Sequence, residues 1–256
     1  MKNKNLLDQF FLVDENLVKE MALVAKIEKD DTIMEIGAGR GIVTKEIAKK
    51  AGKVIAIEID KKFKDDLQKL PGNVEIIFGN ALDFIIKKKV DKLIGSLPSS
   101  IVEPLMLRLP KADFKMAVFL IPLKFLRKID KGYFSVYLKT DLINKIDKSA
   151  FSPQPKTNWA LVKIEKKEDP LKEKDYKRFI EKYIYEHPSS KLKNSLTEAV
   201  IKISSFFGKK LTKNEARKII FACAAKEDLE RSPERFRDYS DISSCLLGVL
   251  ETKTLR

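Results

Sequence analysis

Four short stretches carry residues whose types and spacing can do chemistry. In "MEIGAGRGIVT", Gly37, Gly39 and Gly41 stand at alternate positions between an apolar run and a helical segment, with the acidic Glu35 just ahead of them. Glycines at a strand-to-helix turn permit positive φ and let backbone N–H groups come close to a ligand, so a cofactor can sit at the helix N-terminus and the strand ends. The next apolar run, "VIAIEID", closes on Glu58, Ile59 and Asp60 about 20 residues on, where an acidic side chain can accept both hydroxyls of a ribose. "FGNALDF" brings Asn80 and Ala81 to a third run end, and an amide there suits the edge of an adenine. The fourth stretch, "KLIGSLPSSIVEPL", runs from a buried strand through Ser96, Leu97 and Pro98 into a helix. A polar residue followed by Leu-Pro at a strand end makes a loop on which an acceptor group could be held.

Such residues act together only if several strand ends meet at one edge of a sheet. From about residue 31 to residue 164, short apolar runs such as "DTIMEIG", "KVIAIEID", "KLIGSL", "MAVFLIP" and "WALVKIEK" alternate with segments of helical 3,4 spacing such as "VTKEIAKKA". That rhythm is α/β and predicts a doubly wound, Rossmann-like sheet of mainly buried parallel strands. Charge density rises in "KIEKKEDPLKEKDY" and Pro170 interrupts it, which sets a domain boundary and divides the chain into 1–168 and 169–256. The second part reads as a small all-helical domain, with Thr212 and Ser240 as helix caps and Gly208 as a helix stop.

With 256 residues, 44% of them hydrophobic, the chain can bury a sizeable core. Fifty-one Lys and Arg against 37 Asp and Glu leave a net charge of +14, which suits a polyanion such as RNA and equally a solvated lysine-rich surface. Lys87–Lys89, the segment 123–128, and Lys191 and Lys193 of "KLK" with Lys209 and Lys210 are candidate phosphate contacts. Cys223 and Cys245 are too few for a disulfide framework or a zinc site and read as core-packing residues in a reducing cytoplasm. No signal peptide or membrane span is expected, the lone His187 reads as a loop or helix-end residue, and no metal cluster is visible.

The spacing of "EIGAGRG" is similar to the first motif of S-adenosylmethionine (SAM)-dependent methyltransferases, and the whole chain resembles the KsgA/Dim1 family of small-subunit ribosomal RNA adenine dimethyltransferases. "LLDQFFLVDENLV" is similar to that family's L-G-Q-x-F-L-x-D signature, keeping Gln9, Phe11, Leu12 and Asp14 with Asp8 in place of the glycine. "GNAL" resembles its G-D-A-L, and "AFSPQPKTNWALVKI" resembles its F-x-P-x-P-K-V-x-S-A-V-V, with Asn158 and Trp159 at the Ser and Ala positions. "SSKLKNSL" and "RSPERFRDYSDISSCLL" resemble segments of its helical tail.

The resemblance implies SAM as cofactor, RNA as partner, and a cytoplasmic, monomeric enzyme. It assigns cofactor binding to Gln9, Phe11, Leu12, Glu35, Gly37, Gly39, Glu58, Ile59, Asn80, Ala81 and Ser96, and catalysis to Ser96, Leu97, Pro98 and Phe151, the last lining a pocket for the target base. Ser96 stands where the family carries Asn, and Ser99 stands where an aromatic ring stacks on the base. Three readings follow from those departures: adenosine dimethylation, methylation of a cytidine amine, or a ribosome-assembly factor with little catalysis.

Overall fold

The computed structural model describes residues 9–234 and 237–252. Asp8, part of the N-terminal signature, lies outside the described residues. The strands are β1 (Phe11–Leu12), β2 (Thr32–Ile36), β3 (Lys53–Glu58), β4 (Val74–Phe78), β5 (Lys92–Ser96), β6 (Met116–Pro122), β7 (Leu138–Ile146), β8 (Phe151–Ser152) and β9 (Trp159–Lys166). The helices are α1 (Glu15–Val24), α2 (Ile42–Ala48), α3 (Lys64–Leu67), α4 (Ser99–Met106), α5 (Leu126–Ile129), α6 (Gly132–Tyr137), α7 (Tyr176–Glu186), α8 (Leu192–Phe206), α9 (Lys213–Cys223), α10 (Lys226–Leu229) and α11 (Ser240–Thr252).

Seven strands form one sheet in the order β4-β3-β2-β5-β6-β9-β7, while β1 and β8 pair separately and antiparallel. The first five strands of that order are parallel, and β9 and β7 are antiparallel to their neighbours. Chain order reverses at β2, whose neighbours are β3 and β5, so the carboxyl ends of these strands diverge into a crevice. The apolar runs become strands because their apolar residues, many of them β-branched, are buried: Ile33, Met34, Val54, Ala56, Leu93, Ile94, Ala117 and Val118 have no exposure.

Helix α1 starts where the Asp14 side chain accepts from the amides of Asn16 and Leu17, at 2.9 and 3.2 Å. Its buried Leu17, Val18, Met21 and Ala22 join Val43 and Ile47 of α2 against Ile33, Val54, Ile94, Val118 and Leu161 of the sheet. At the opposite strand ends, the Lys92 ammonium donates to the Asp31 carboxylate and to the Lys26 carbonyl, tying the start of β5 to the start of β2. A Cβ on Gly95 would stand 2.6 Å from the Ile36 carbonyl oxygen, so β5 lies against the end of β2 at a distance only glycine allows.

The chain divides into two compact units, residues 1–129 with 138–166, and residues 130–137 with 167–256. The segment 130–137, which the sequence boundary leaves in the first part, belongs to the helical unit because Tyr133 packs edge-on against Tyr185 at 5.5 Å. In that unit Ile180 and Ile184 of α7, Leu196, Val200 and Ile203 of α8, and Ile219 and Ile220 of α9 form the buried faces. Thr212 caps α9 in a capping box with Glu215, and Gly208 follows α8 at φ +73°. Ser240 is the first residue of α11 rather than its cap, and its amide donates to Asp238 at 2.9 Å.

Cys223 and Cys245 are joined in a disulfide, which corrects their reading as separate core thiols. Helices α9 and α11 lie side by side and bring the two Cα atoms to 5.7 Å, a spacing that sequence separation alone does not reveal. A cross-link spanning 22 residues stabilises by about 3 kcal/mol in the loop-entropy model. Reductant is therefore expected to lower stability by about that amount in urea unfolding followed by circular dichroism. A Cys223→Ser/Cys245→Ser chain should start at the lower value and not respond to reductant.

Candidate functional site

The carboxyl ends of β2, β3 and β5 open on one cavity of about 900 Å³, closed on another side by residues 9–13. Gly37, Gly39 and Gly41 have φ of +80°, +54° and +79°, which lets the chain leave β2 and enter α2 within five residues. The amides of Gly37 and Ala38 donate to the Ile57 carbonyl at 2.9 and 3.1 Å, anchoring the turn to β3. Glu58, 5% exposed, closes the arrangement: Oε2 accepts the Gly39 amide at 2.7 Å and Oε1 accepts the Asp60 amide at 2.9 Å. Each carboxylate oxygen keeps a further lone pair for a ligand.

The structure brings most of the expected residues to this cavity. Gln9, Phe11, Leu12, Glu35, Gly37, Gly39, Glu58, Ile59, Asn80, Ala81, Ser96 and Pro98 all line it. Gln9 is fixed by Asp60 and Lys62, donating to Asp60 Oδ2 at 3.3 Å and accepting from Lys62 Nζ at 2.7 Å. Asn80 Oδ1 accepts the Leu82 amide at 3.0 Å, which leaves its NH₂ group for a partner. Leu97 does not line the cavity; it is fully buried, and its amide is held by the Leu120 carbonyl at 2.8 Å.

Phe151 is not on the cavity wall either. It is 1% exposed, and its ring packs on Trp159 at 4.6 Å between centroids. Trp159, Ser152, Ser100 and Ile101 line the cavity instead, and so does Phe10, which occupies an unspecified position of the N-terminal signature. Ser152 and Trp159 fall in the segment "AFSPQPKTNWALVKI", where the Trp159 ring is a candidate second face for the base; no motif spacing marks Phe10, Ser100 or Ile101, because their approach to the cavity depends on tertiary contacts. His187 lies at the C-terminus of α7, exposed, with its ring stacked on Tyr183 at 4.1 Å. Two members of one lysine cluster have acidic partners, Lys88 with Glu75 at 3.3 Å and Lys89 with Asp113 at 3.6 Å. Among the described residues no three His, Cys, Asp or Glu side chains gather as a metal site, and no helix is long and apolar enough to cross a membrane.

Two polar groups beside the cavity lack partners. The Ser96 hydroxyl is buried with no hydrogen bond, and so is Oε2 of Glu35, a residue only 1% exposed. Burial pushes the Glu35 carboxyl up to about 7, and the charge of Glu58 acts in the same direction. Thr44 opposes the rise by hydrogen bonding, but among the described residues no cation faces the carboxyl, and a buried acid with one oxygen open suits a ligand that brings positive charge.

A glycine turn after β2, a buried carboxylate at the end of β3 and a Ser-Leu-Pro loop after β5, all on one cavity, are the arrangement of a Rossmann-like methyltransferase. Comparisons with known proteins narrow the class. The profile of the ribosomal RNA adenine dimethylase family matches residues 1–200. A probable ribosomal RNA small subunit methyltransferase A of Methanococcus aeolicus is 35% identical over 222 residues, covering 80% of this chain and 82% of that protein. One of Thermococcus sibiricus is 37% identical over 180 residues, covering 65% and 66%. The fold is shared with a dimethyladenosine transferase from Plasmodium falciparum, at a TM-score of 0.63 and 22% identity over 95% of this chain and 98% of that one. It is shared as well with the 23S rRNA methyltransferase ErmE, at 0.59 and 19% over 94% and 99%. The chain belongs to the ribosomal RNA adenine dimethylase family, whose members are SAM-dependent methyltransferases.

The raised value of Glu35 has a consequence for stability. Its folded value, about 7, lies above the ordinary 4.5, so its contribution is fully retained below pH 4.5 and is lost as pH rises through 7. The span is worth roughly 3 kcal/mol. Glu35→Gln is therefore expected to exceed the native chain in stability at pH 8 by up to roughly that amount and to match it at pH 4, measured by urea unfolding at both.

Proposed function

We propose that the chain dimethylates the exocyclic amine of an adenosine in small-subunit ribosomal RNA, with SAM in the half of the cleft at β2, β3 and β4 and the target base at the loop after β5. One observation carries the reading. The buried carboxylate of Glu35, whose Oε2 has no hydrogen bond, precedes a turn of three left-handed glycines, lies near the carboxylate of Glu58, and opens on the same cavity as Ser96 and Pro98. SAM fits that donor set, since its ammonium and sulfonium bring the positive charge that Glu35 lacks. When bound, it supplies a methyl group already activated for transfer.

The chain's own task is then positioning. Glu58 offers its remaining lone pairs to the ribose hydroxyls, and Asn80 offers its NH₂ group to an acceptor on the adenine ring of the cofactor. The free Ser96 hydroxyl accepts from the target amine and orients it toward the transferred group, and the apolar lining excludes water. The names of the Methanococcus and Thermococcus relatives support the small subunit as the source of the target. The net charge of +14 supports RNA contact by both units, including the helical one.

The test is transfer of labelled methyl from SAM to unmodified small ribosomal subunits, followed by nucleoside mass spectrometry. Label in dimethyladenosine is expected; label in cytidine, or none alongside an active family enzyme, overturns the reading. Glu35 ionises near pH 7 in the free chain, so SAM affinity should rise several-fold between about pH 6 and pH 7.5, and Glu35→Gln should remove that dependence. Ser96→Ala is expected to lower kcat about tenfold, the worth of one hydrogen bond of about 1.4 kcal/mol, with SAM binding unchanged.

A further inference from the structure

Ser99, the position at which a ring would stack on the target base, is the first residue of α4 and does not line the cleft. A ring is present at the acceptor end, but it comes from elsewhere in the chain. We propose that Phe10 stacks on the target adenine and that Trp159 is the positioning residue that holds the Phe10 ring in place; the inference rests on the acceptor being a base presented to the loop after β5.

Phe10 and Phe11 are consecutive at the entry to β1, and successive side chains of extended backbone point to opposite sides. Phe11 turns toward the glycine turn, where a Cβ on Gly39 would lie 3.6 Å from its ring, and it packs edge-on against Phe63 at 5.5 Å. Phe10 turns the other way, with its ring 6.2 Å from Trp159 at 79°. Neighbouring residues of one short segment thus serve the two halves of the cleft.

Strand register places this second ring opposite the acceptor loop. Ser96 pairs with Leu120, and Leu120 pairs with Leu161, so these three side chains share one face of the sheet. Trp159 lies two residues from Leu161 on the same face, opposite Pro122, and is therefore level with the carboxyl end of β6 and two residues beyond that of β5. Two strand spacings separate the columns of Ser96 and Trp159, about 10 Å, and both residues line the same cavity. Trp159 and Phe151 are 2% and 1% exposed and present little open surface. Phe10 is half-buried and lines the cavity, so it has a face to offer, while Trp159, backed by Phe151, fixes its angle. Base stacking on a ring does not depend on hydrogen-bond geometry and tolerates a change of position in the chain.

The experiment compares the native chain with Phe10→Leu, Phe10→Tyr and Trp159→Phe, using small-subunit RNA and a copy with 2-aminopurine at the methylated adenosine. Loss of a stacking ring corresponds to a fall of about 5-fold to 150-fold in kcat/KM. Phe10→Leu should show it with the SAM-induced melting shift retained, Phe10→Tyr should restore the native rate, and Trp159→Phe should fall between. Binding should quench 2-aminopurine in the native complex, and Phe10→Leu should lose that quench. A Phe10→Leu rate within twofold of native together with an unchanged quench overturns the inference. If the native chain methylates no adenosine, the proposed function fails on that result. The quench comparison at the corresponding adenosine then decides the stacking role by itself, for if it is lost in Phe10→Leu and kept in Phe10→Tyr, and if it is unchanged in Phe10→Leu, against.

Discussion

Because β2 pairs in parallel with both β3 and β5, the connection leaving β2 runs to β3 on one side while the connection leaving β5 runs to β6 on the other, and the crevice between them cannot be filled by the sheet itself. Everything that acts in this molecule is attached to the rim of that crevice. The glycine turn hangs from Ile57, Glu58 bridges the turn to the end of β3, and the acceptor loop leaves β5 where Gly95 touches β2. A shift of register at β2 would move the three together, so the strand pairing and the site are one constraint.

The two ends of the same strands treat charge in opposite ways. At the amino ends, Asp31 and Lys92 are both buried and satisfy each other, with the Lys26 carbonyl and the Glu28 amide completing the set. At the carboxyl ends, Glu35 is buried to the same degree without a partner for Oε2, and its carboxyl is held near neutrality as a result. Native structures pair their buried charges, and one left open at a cavity is a polar group awaiting a ligand. The stabilising pair joins the amino ends of β2 and β5, and the single acid lies at the carboxyl end of β2.

The segment 9–13 couples the halves of the cleft. Phe11 covers the glycine turn, Leu12 pairs with Phe151, and Phe10 meets Trp159, so cofactor side and acceptor side share a wall only a few residues long. The aromatic train from Phe10 through Trp159 to Phe151 runs from the cavity into the core. This placement gives Phe151 a supporting role behind the wall and not on it.

The glycine turn and the acid at the end of the next strand were legible in the sequence because their constraints are local. Positive φ at Gly37, Gly39 and Gly41, and an acid closing the next strand, are properties of a few consecutive residues set by a ligand of constant shape. Alternating apolar runs were enough for the α/β class, since buried strands need them wherever the strands pair. The acceptor half was not legible in the same way. That Phe151 is covered, that Trp159 and Phe10 reach the cavity, that Leu97 points inward, that 130–137 joins the helical unit and that Cys223 meets Cys245 all depend on contacts between residues far apart in the chain. Sequence determines which side chains alternate along each strand and turn; only the packing of one strand or helix against another decides which of them face a cavity and which face the core.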